Sequence, residues 1–135
     1  MAPPATLRIL VVDDNPIVRD SVTAAVKKLN AQTQTVNLHL LEAADGATAW
    51  DRLQAERFAL VIVDLYLPVL NGLQLIQRIR DRPEISSTPI LAISASLRDA
   101  RERSLGAGAD QFLQKPVRLL ELTDALRHLL RLDAT

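Results

Sequence analysis

The tightest constraint in this chain is a run of four apolar residues, Leu60-Val61-Ile62-Val63, that ends in a carboxylate, Asp64. An unbroken Val/Ile/Leu run suits a strand covered on both faces. An unpaired carboxylate is too costly to keep inside such a strand. Asp64 therefore belongs where the strand emerges, at its C-terminal end, the rim where ligands bind in open α/β sheets. Pro68 and Asn71-Gly72 follow and turn the chain. Taken alone, Asp64 serves equally well as a strand terminator.

The rest of the chain repeats this pattern. Leu7-Arg8-Ile9-Leu10-Val11-Val12 and Ile90-Leu91-Ala92-Ile93 read as further buried strands. Val36-Asn37-Leu38-His39-Leu40 alternates, as an edge strand does, and Gln111-Phe112-Leu113 is short, as the other edge. Helical spacing separates them. Asn15 is placed as N-cap and Pro16 at the first helical position of a helix over 16–30, with Val18, Val22, Ala25, Val26 and Leu29 on its apolar face. A short helix over 47–56 follows the turn at Asp45-Gly46, with Ala49, Trp50 and Leu53 inward. A third helix over 72–80 carries Leu73, Ile76 and Ile79 on one face. A charged helix over 98–105 is stopped by Gly106 and Gly108, and a last helix buries Leu119, Leu122, Leu126 and Leu129. Segments 31–35 and 83–89 are loops.

Five alternations of strand and helix predict an α/β, flavodoxin-like, doubly wound sheet of five parallel strands in the order 2-1-3-4-5, with five helices. The expected layout is a flexible tail over 1–6, one domain over 7–132 and a short tail over 133–135. The 135 residues suit one core, and 48% hydrophobic with 24% charged residues excludes disorder. Sixteen basic and sixteen acidic residues balance, so no global field draws the chain to nucleic acid or an anionic membrane. No apolar run reaches a bilayer-spanning length and the N-terminus is not a signal peptide. The absence of cysteine rules out disulfides and thiolate metal sites. A cytoplasmic location is the expectation.

In a parallel sheet all strand C-termini share one rim. Asp13 and Asp14 end the first strand, Asp64 the third, Ser94 the fourth and Lys115 the fifth. Three carboxylates brought together repel unless a cation sits among them. Oxygen ligands without His or Cys favour a hard ion such as Mg2+, with Mn2+ as the substitute. The lysine is a compact charge for a phosphoryl group, and the serine hydroxyl is a donor to one. The set fits Mg2+-assisted phosphoryl transfer onto a carboxylate, with Asp64 as nucleophile.

Over nearly its whole length the sequence resembles the receiver domain of two-component response regulators. The matching pieces are Val11-Val12-Asp13-Asp14, Asp64 with Pro68 and Asn71-Gly72, Ser94-Ala95, Gly106-Ala107-Gly108-Ala109-Asp110 and Lys115-Pro116. The resemblance implies that Asp64 accepts a phosphoryl group from a phosphohistidine. It implies that Asp13, Asp14, Asp64 and the backbone carbonyl of Tyr66 hold Mg2+. Lys115 would pair with Asp64 and then with the phosphoryl oxygens, through a cis peptide bond to Pro116. Ser94 and Phe112 would form the switch, remodelling the surface of the fourth helix, fifth strand and fifth helix. The implied partners are a sensor histidine kinase or histidine phosphotransfer protein and an output protein, with phosphorylation-dependent homodimerisation as another output. Asn71-Gly72 stands where Asp-Gly is common, and both suit a turn with positive φ. Phe112 stands where Tyr is also frequent.

The plainer readings are a helix-start pair for Asp13-Asp14, a cap for Ser94 and a solvated surface for Lys115. His39 and His128 read as solvated. Three rival functions remain: an unphosphorylated pseudo-receiver that only binds partners, a Mg2+-dependent phosphohydrolase, and a flavin-binding module. The intact acidic set opposes the first. Tyr66 in place of a second acid two residues after Asp64 opposes the second. The acidic Asp-Asp-Asn-Pro loop, which lacks Gly/Ser/Thr donors for a flavin phosphate, opposes the third.

Overall fold

The apolar runs pair side by side and in parallel. A computed structural model describes residues 3–96 and 98–132. The strands are β1 (Ala5–Val12), β2 (Val36–Ala43), β3 (Leu60–Asp64), β4 (Ile90–Ser94) and β5 (Gln111–Gln114). Their order is β2-β1-β3-β4-β5, as expected. Five helices alternate with them: α1 (Pro16–Gln32), α2 (Gly46–Ala55), α3 (Gly72–Asp81), α4 (Ala100–Ala107) and α5 (Leu119–Leu129).

Strand alternation divides the apolar residues between two layers. Leu10, Val12, Val61 and Val63 face Leu53 of α2 and Leu75, Ile76 and Ile79 of α3. Ile9, Val11, Leu60 and Ile62 face Val22, Ala25 and Leu29 of α1 and Leu122 and Leu126 of α5. Every residue of β3 and β4 is buried, Asp64 and Ser94 included. β5 is only half-buried. The register aligns Val12 with Val63 and Asp64 with Ile93, so the ends of β1, β3 and β4 come out together on one rim.

Several expectations are corrected. β1 starts at Ala5, so residues 5 and 6 are strand rather than tail, because Ala5 pairs with Val36 and its N–H reaches the Thr35 carbonyl. The expected tail over 133–135 lies outside the described residues, as do residues 1 and 2. α1 continues to Gln32 and shortens the loop that follows. Leu75, not Leu73, shares the deepest face of α3 with Ile76 and Ile79, and Leu73 is half-buried. Leu119 is 44% exposed, and Thr123 and Ala125 take its share of the buried face of α5. Trp50 is half-buried, and the guanidiniums of Arg78 and Arg82 lie over its ring at 5.8 and 5.9 Å from the centroid.

The helix starts follow local chemistry. Asn15 caps α1 by accepting from the Ile17 N–H, with Pro16 at the first helical position. Asn71 and Gln74 cap α3 reciprocally. Asn71 has φ −74°, so the positive φ expected near this turn falls instead on Val69, at 66°. Gly72 is needed for room: a Cβ there would lie 2.3 Å from the Asp64 carbonyl oxygen.

Candidate functional site

The rim gathers side chains from four strand ends. One carboxylate oxygen from each of Asp13, Asp14 and Asp64 lies within 4.8 Å of the others. Asp13 and Asp64 are buried and Asp14 is exposed. Lys115, at the end of β5, reaches across. Its Nζ lies 3.1 Å from Asp64 Oδ2, which it hydrogen-bonds, and 3.0 Å from Asp13 Oδ2. The contact to Asp13 is an ion pair without hydrogen-bond alignment, so Asp13 Oδ2 is a buried oxygen with no hydrogen-bond partner. Its other oxygen accepts from the Asn15 N–H at 2.8 Å. Asp64 Oδ1 accepts from the Tyr66 N–H at 3.2 Å.

This electrostatic arrangement is poised. Burial raises the Asp64 pKa above the usual aspartate value, and the Asp13 charge adds to the rise. The Tyr66 N–H and Lys115 oppose it without cancelling it. Burial alone would lower the Lys115 pKa, but its close contacts with the carboxylates of Asp13 and Asp64 outweigh it and raise the value. Two buried carboxylates therefore share one ammonium, with a third carboxylate beside them. An oxygen-only cluster containing a buried oxygen that accepts no hydrogen bond fits a hard divalent cation. Among the described residues it is the sole such group of His, Asp or Glu side chains.

The remaining predicted residues fall around this centre. Ser94 is fully buried at the end of β4, and its Oγ accepts from the Ser96 N–H at 3.1 Å. The Lys115–Pro116 peptide bond is cis. Tyr66 is 57% exposed just beyond Asp64. Phe112 stands back from the rim, half-buried on β5 beside a groove it shares with Ser96, Arg101 and Glu121. His39 and His128 are exposed and away from the cluster. A cavity of about 310 Å³ opens beside Lys115, between Ile17, Val18 and Ser21 of α1 and Pro116 and Leu122. Sequence reasoning missed Arg19, which reaches the Asp13 backbone. Its only sequence signal is its place one turn into α1.

A sequence model of the response regulator receiver domain matches residues 9–127. The chain belongs to this family. It is 37% identical over 131 residues to the response regulator Rre1 of Synechocystis, covering 96% of this chain and 53% of that protein. It is 38% identical over 111 residues to a gliding motility regulatory protein of Myxococcus xanthus, covering 81% of this chain and 13% of that one. The chain thus spans about half, or less, of the length of these curated relatives. Among solved structures, it superposes with a TM-score of 0.83 on a putative response regulator from Chloroflexus aurantiacus, at 26% identity over 95% of this chain and 98% of that one. The receiver domain of a sensor histidine kinase from Pseudomonas aeruginosa, with a magnesium ion coordinated in its active-site cleft, gives 0.81 at 30% identity, covering 94% of this chain and 99% of that one. The fold is the flavodoxin-like arrangement of receiver domains. Among the described residues no helix is long and apolar enough to cross a membrane.

Proposed function

We propose that this chain is a phosphoacceptor switch in which Asp64 takes a phosphoryl group from a phosphohistidine of a sensor kinase or histidine phosphotransfer protein. The observation that carries the reading is the single ammonium of Lys115 held 3.0 Å from Asp13 Oδ2 and 3.1 Å from Asp64 Oδ2, inside a three-carboxylate cluster. An Asp64 carboxylate oxygen attacks phosphorus. The new P–O bond forms as the P–N bond breaks, and the electron pair leaves on the imidazole nitrogen. Lys115, already beside Asp64, then faces the phosphoryl oxygens. Asp13, Asp14, Asp64 and the Tyr66 carbonyl would hold Mg2+ or Mn2+, which supplies charge neutralisation for the transferring group. The step is a stoichiometric modification, reversed when water attacks phosphorus and releases inorganic phosphate, so the domain is a regulator rather than a turnover enzyme.

The signal would leave through Ser94 and Phe112. Turning the Ser94 hydroxyl to the phosphoryl group releases the Ser96 N–H that it now accepts from and draws the β4–α4 loop inward. Phe112 borders a groove that gives its ring room to move. The altered α4–β5–α5 face would then bind an output protein or a second copy of this chain. Such an equilibrium inverts with a bias of a few kcal/mol. The cavity beside α1 offers the phosphodonor an apolar seat next to Lys115.

Intact-mass measurement after incubation with acetyl phosphate, with and without Mg2+, tests the reading beside Asp64→Ala. The expected result is one phosphoryl adduct that needs both Mg2+ and Asp64. Failure to form it with either acetyl phosphate or a phosphorylated kinase would leave a pseudo-receiver. Tyr66, exposed beside the acceptor, would shield the acyl phosphate from water. Tyr66→Asn is expected to speed loss of the adduct several-fold, and an unchanged decay rate removes that role.

A further inference from the structure

Asp13 is tethered at each of its polar positions. Its N–H reaches the Ala43 carbonyl at 3.1 Å, Oδ1 accepts from the Asn15 N–H at 2.8 Å, and Oδ2 meets Lys115 at 3.0 Å. Its carbonyl oxygen accepts from Nη1 of Arg19 at 2.6 Å. That last bond comes from a different element, one turn into α1, and joins no residue of the acidic cluster by its side chain. The Asp13 carbonyl belongs to the peptide linking Asp13 to Asp14. Fixing that oxygen fixes the peptide plane from which the Asp14 side chain departs. Asp14 is exposed, so its packing offers little to aim it.

A guanidinium beside a cation site would ordinarily oppose the cation. Here Glu42, at the end of β2, lies 3.7 Å from Arg19 Nε and offsets the charge. Arg19 can therefore hold the carbonyl with its charge partly offset. Its side chain is only 22% exposed, so the bond is partly sheltered from competing water.

We infer that Arg19, held by Glu42, is a positioning residue for the divalent cation: by clamping the Asp13 carbonyl it orients the Asp13–Asp14 peptide and so aims both carboxylates. The inference rests on the reading that the acidic cluster takes Mg2+. Groups that orient metal ligands without touching the metal often matter tenfold or more for affinity.

The test is Mg2+ affinity by titration calorimetry on the whole chain, with the thermal midpoint in EDTA as a separate readout of folding. Arg19→Met keeps the apolar stem and removes every donor. It is expected to bind Mg2+ roughly tenfold more weakly while its midpoint in EDTA stays close to that of the wild type. Arg19→Lys restores one donor and should recover most of the loss. Glu42→Gln leaves the guanidinium charge unbalanced and should weaken binding less, with the deficit shrinking as salt rises. Wild-type affinity in Arg19→Met, or a loss that Arg19→Lys does not reduce, overturns the inference. Should the wild type itself bind no Mg2+, the cation reading falls and the inference with it, a result distinct from the first.

Discussion

At Asp64 the requirements of folding and of chemistry pull against each other. A nucleophile must be ionised, yet burial at the end of β3 raises the Asp64 pKa. The folded state therefore holds this proton more tightly than the unfolded chain does. By linkage, ionised Asp64 opposes folding above its folded-state pKa, and the penalty disappears as pH falls through it. Asp64→Asn, which keeps the shape and loses the charge, is expected to raise the thermal midpoint in EDTA at pH 7 by a few degrees, with the gap narrowing on acidification. A lower midpoint for Asp64→Asn would mean that the Lys115 ion pair outweighs burial. Lys115 has the opposite sign: its raised pKa makes its pairing a stabilising contribution present below its unfolded value and lost only in the alkaline range. The pH dependence that Asp64 contributes therefore lies on the acid side of that of Lys115. Phosphorylation by acetyl phosphate should speed up as pH rises through the Asp64 pKa. The identity of these residues was legible because strand ends in a parallel sheet converge. The role of Arg19 was not, since it acts on a backbone carbonyl and leaves no pattern of side-chain types.

Among the helices, α4 is the least anchored, and the sequence misplaced its end. Gly106 reads as a stop, but α4 runs through it to Ala107, because a glycine with open space around it can sit in a helix as well as end one. Gly108, with φ 121°, is the residue that ends the helix. What fixes the following turn lies 28 residues earlier in α3. Arg80 Nε donates to the Gly108 carbonyl at 2.9 Å, Nη1 to the carbonyls of Ser86 and Thr88 at 2.8 and 2.7 Å, and Nη2 to Asp110 Oδ2 at 3.0 Å. Asp110 in turn accepts from the Ile90 N–H at 2.8 Å. This lock ties the starts of β4 and β5 together at the end of the sheet opposite the acidic cluster. No periodicity reports it, because its acceptors are mostly backbone. Gly108→Ala carries two faults, a strained φ and a Cβ 2.7 Å from Arg80 Cγ. We expect a loss of about 2–3 kcal/mol in urea unfolding. Arg80→Ala is expected to lose a similar amount, about 2–3 kcal/mol, by leaving three carbonyls without this donor. Because both substitutions damage one lock, the double variant should lose clearly less than the sum. Strict additivity would show that Gly108 and Arg80 act separately.

Across the whole molecule, burial divides the sheet into a rigid part and a compliant part. Ile9 to Val12 and Leu60 to Val63 are fully buried between two helical layers. β5 is half-buried over Gln111 to Leu113 and exposed at Gln114, and α4 buries only Ala100 and Ser104. The boundary between the two parts runs through the site, since Asp13 and Asp64 end rigid strands while Lys115 ends the compliant one. A charge placed on Asp64 is consequently held fixed on one side and can be answered by movement only on the other. This asymmetry was readable in outline from unbroken runs at the centre and short or alternating ones at the edges. The weakness of α4 was not, because its charged residues look the same on a firmly packed helix and on a loosely packed one. The expected consequence is local. On phosphorylation, or with a phosphoryl mimic in Mg2+, amide hydrogen exchange should change in the β4–α4 loop, α4, β5 and the start of α5. The amides of β1 and β3 should remain the slowest and stay unaltered. If exchange instead changed mainly in α1 and β2, with β5 silent, the response would travel through the rigid side, and the division of labour read from burial would be wrong.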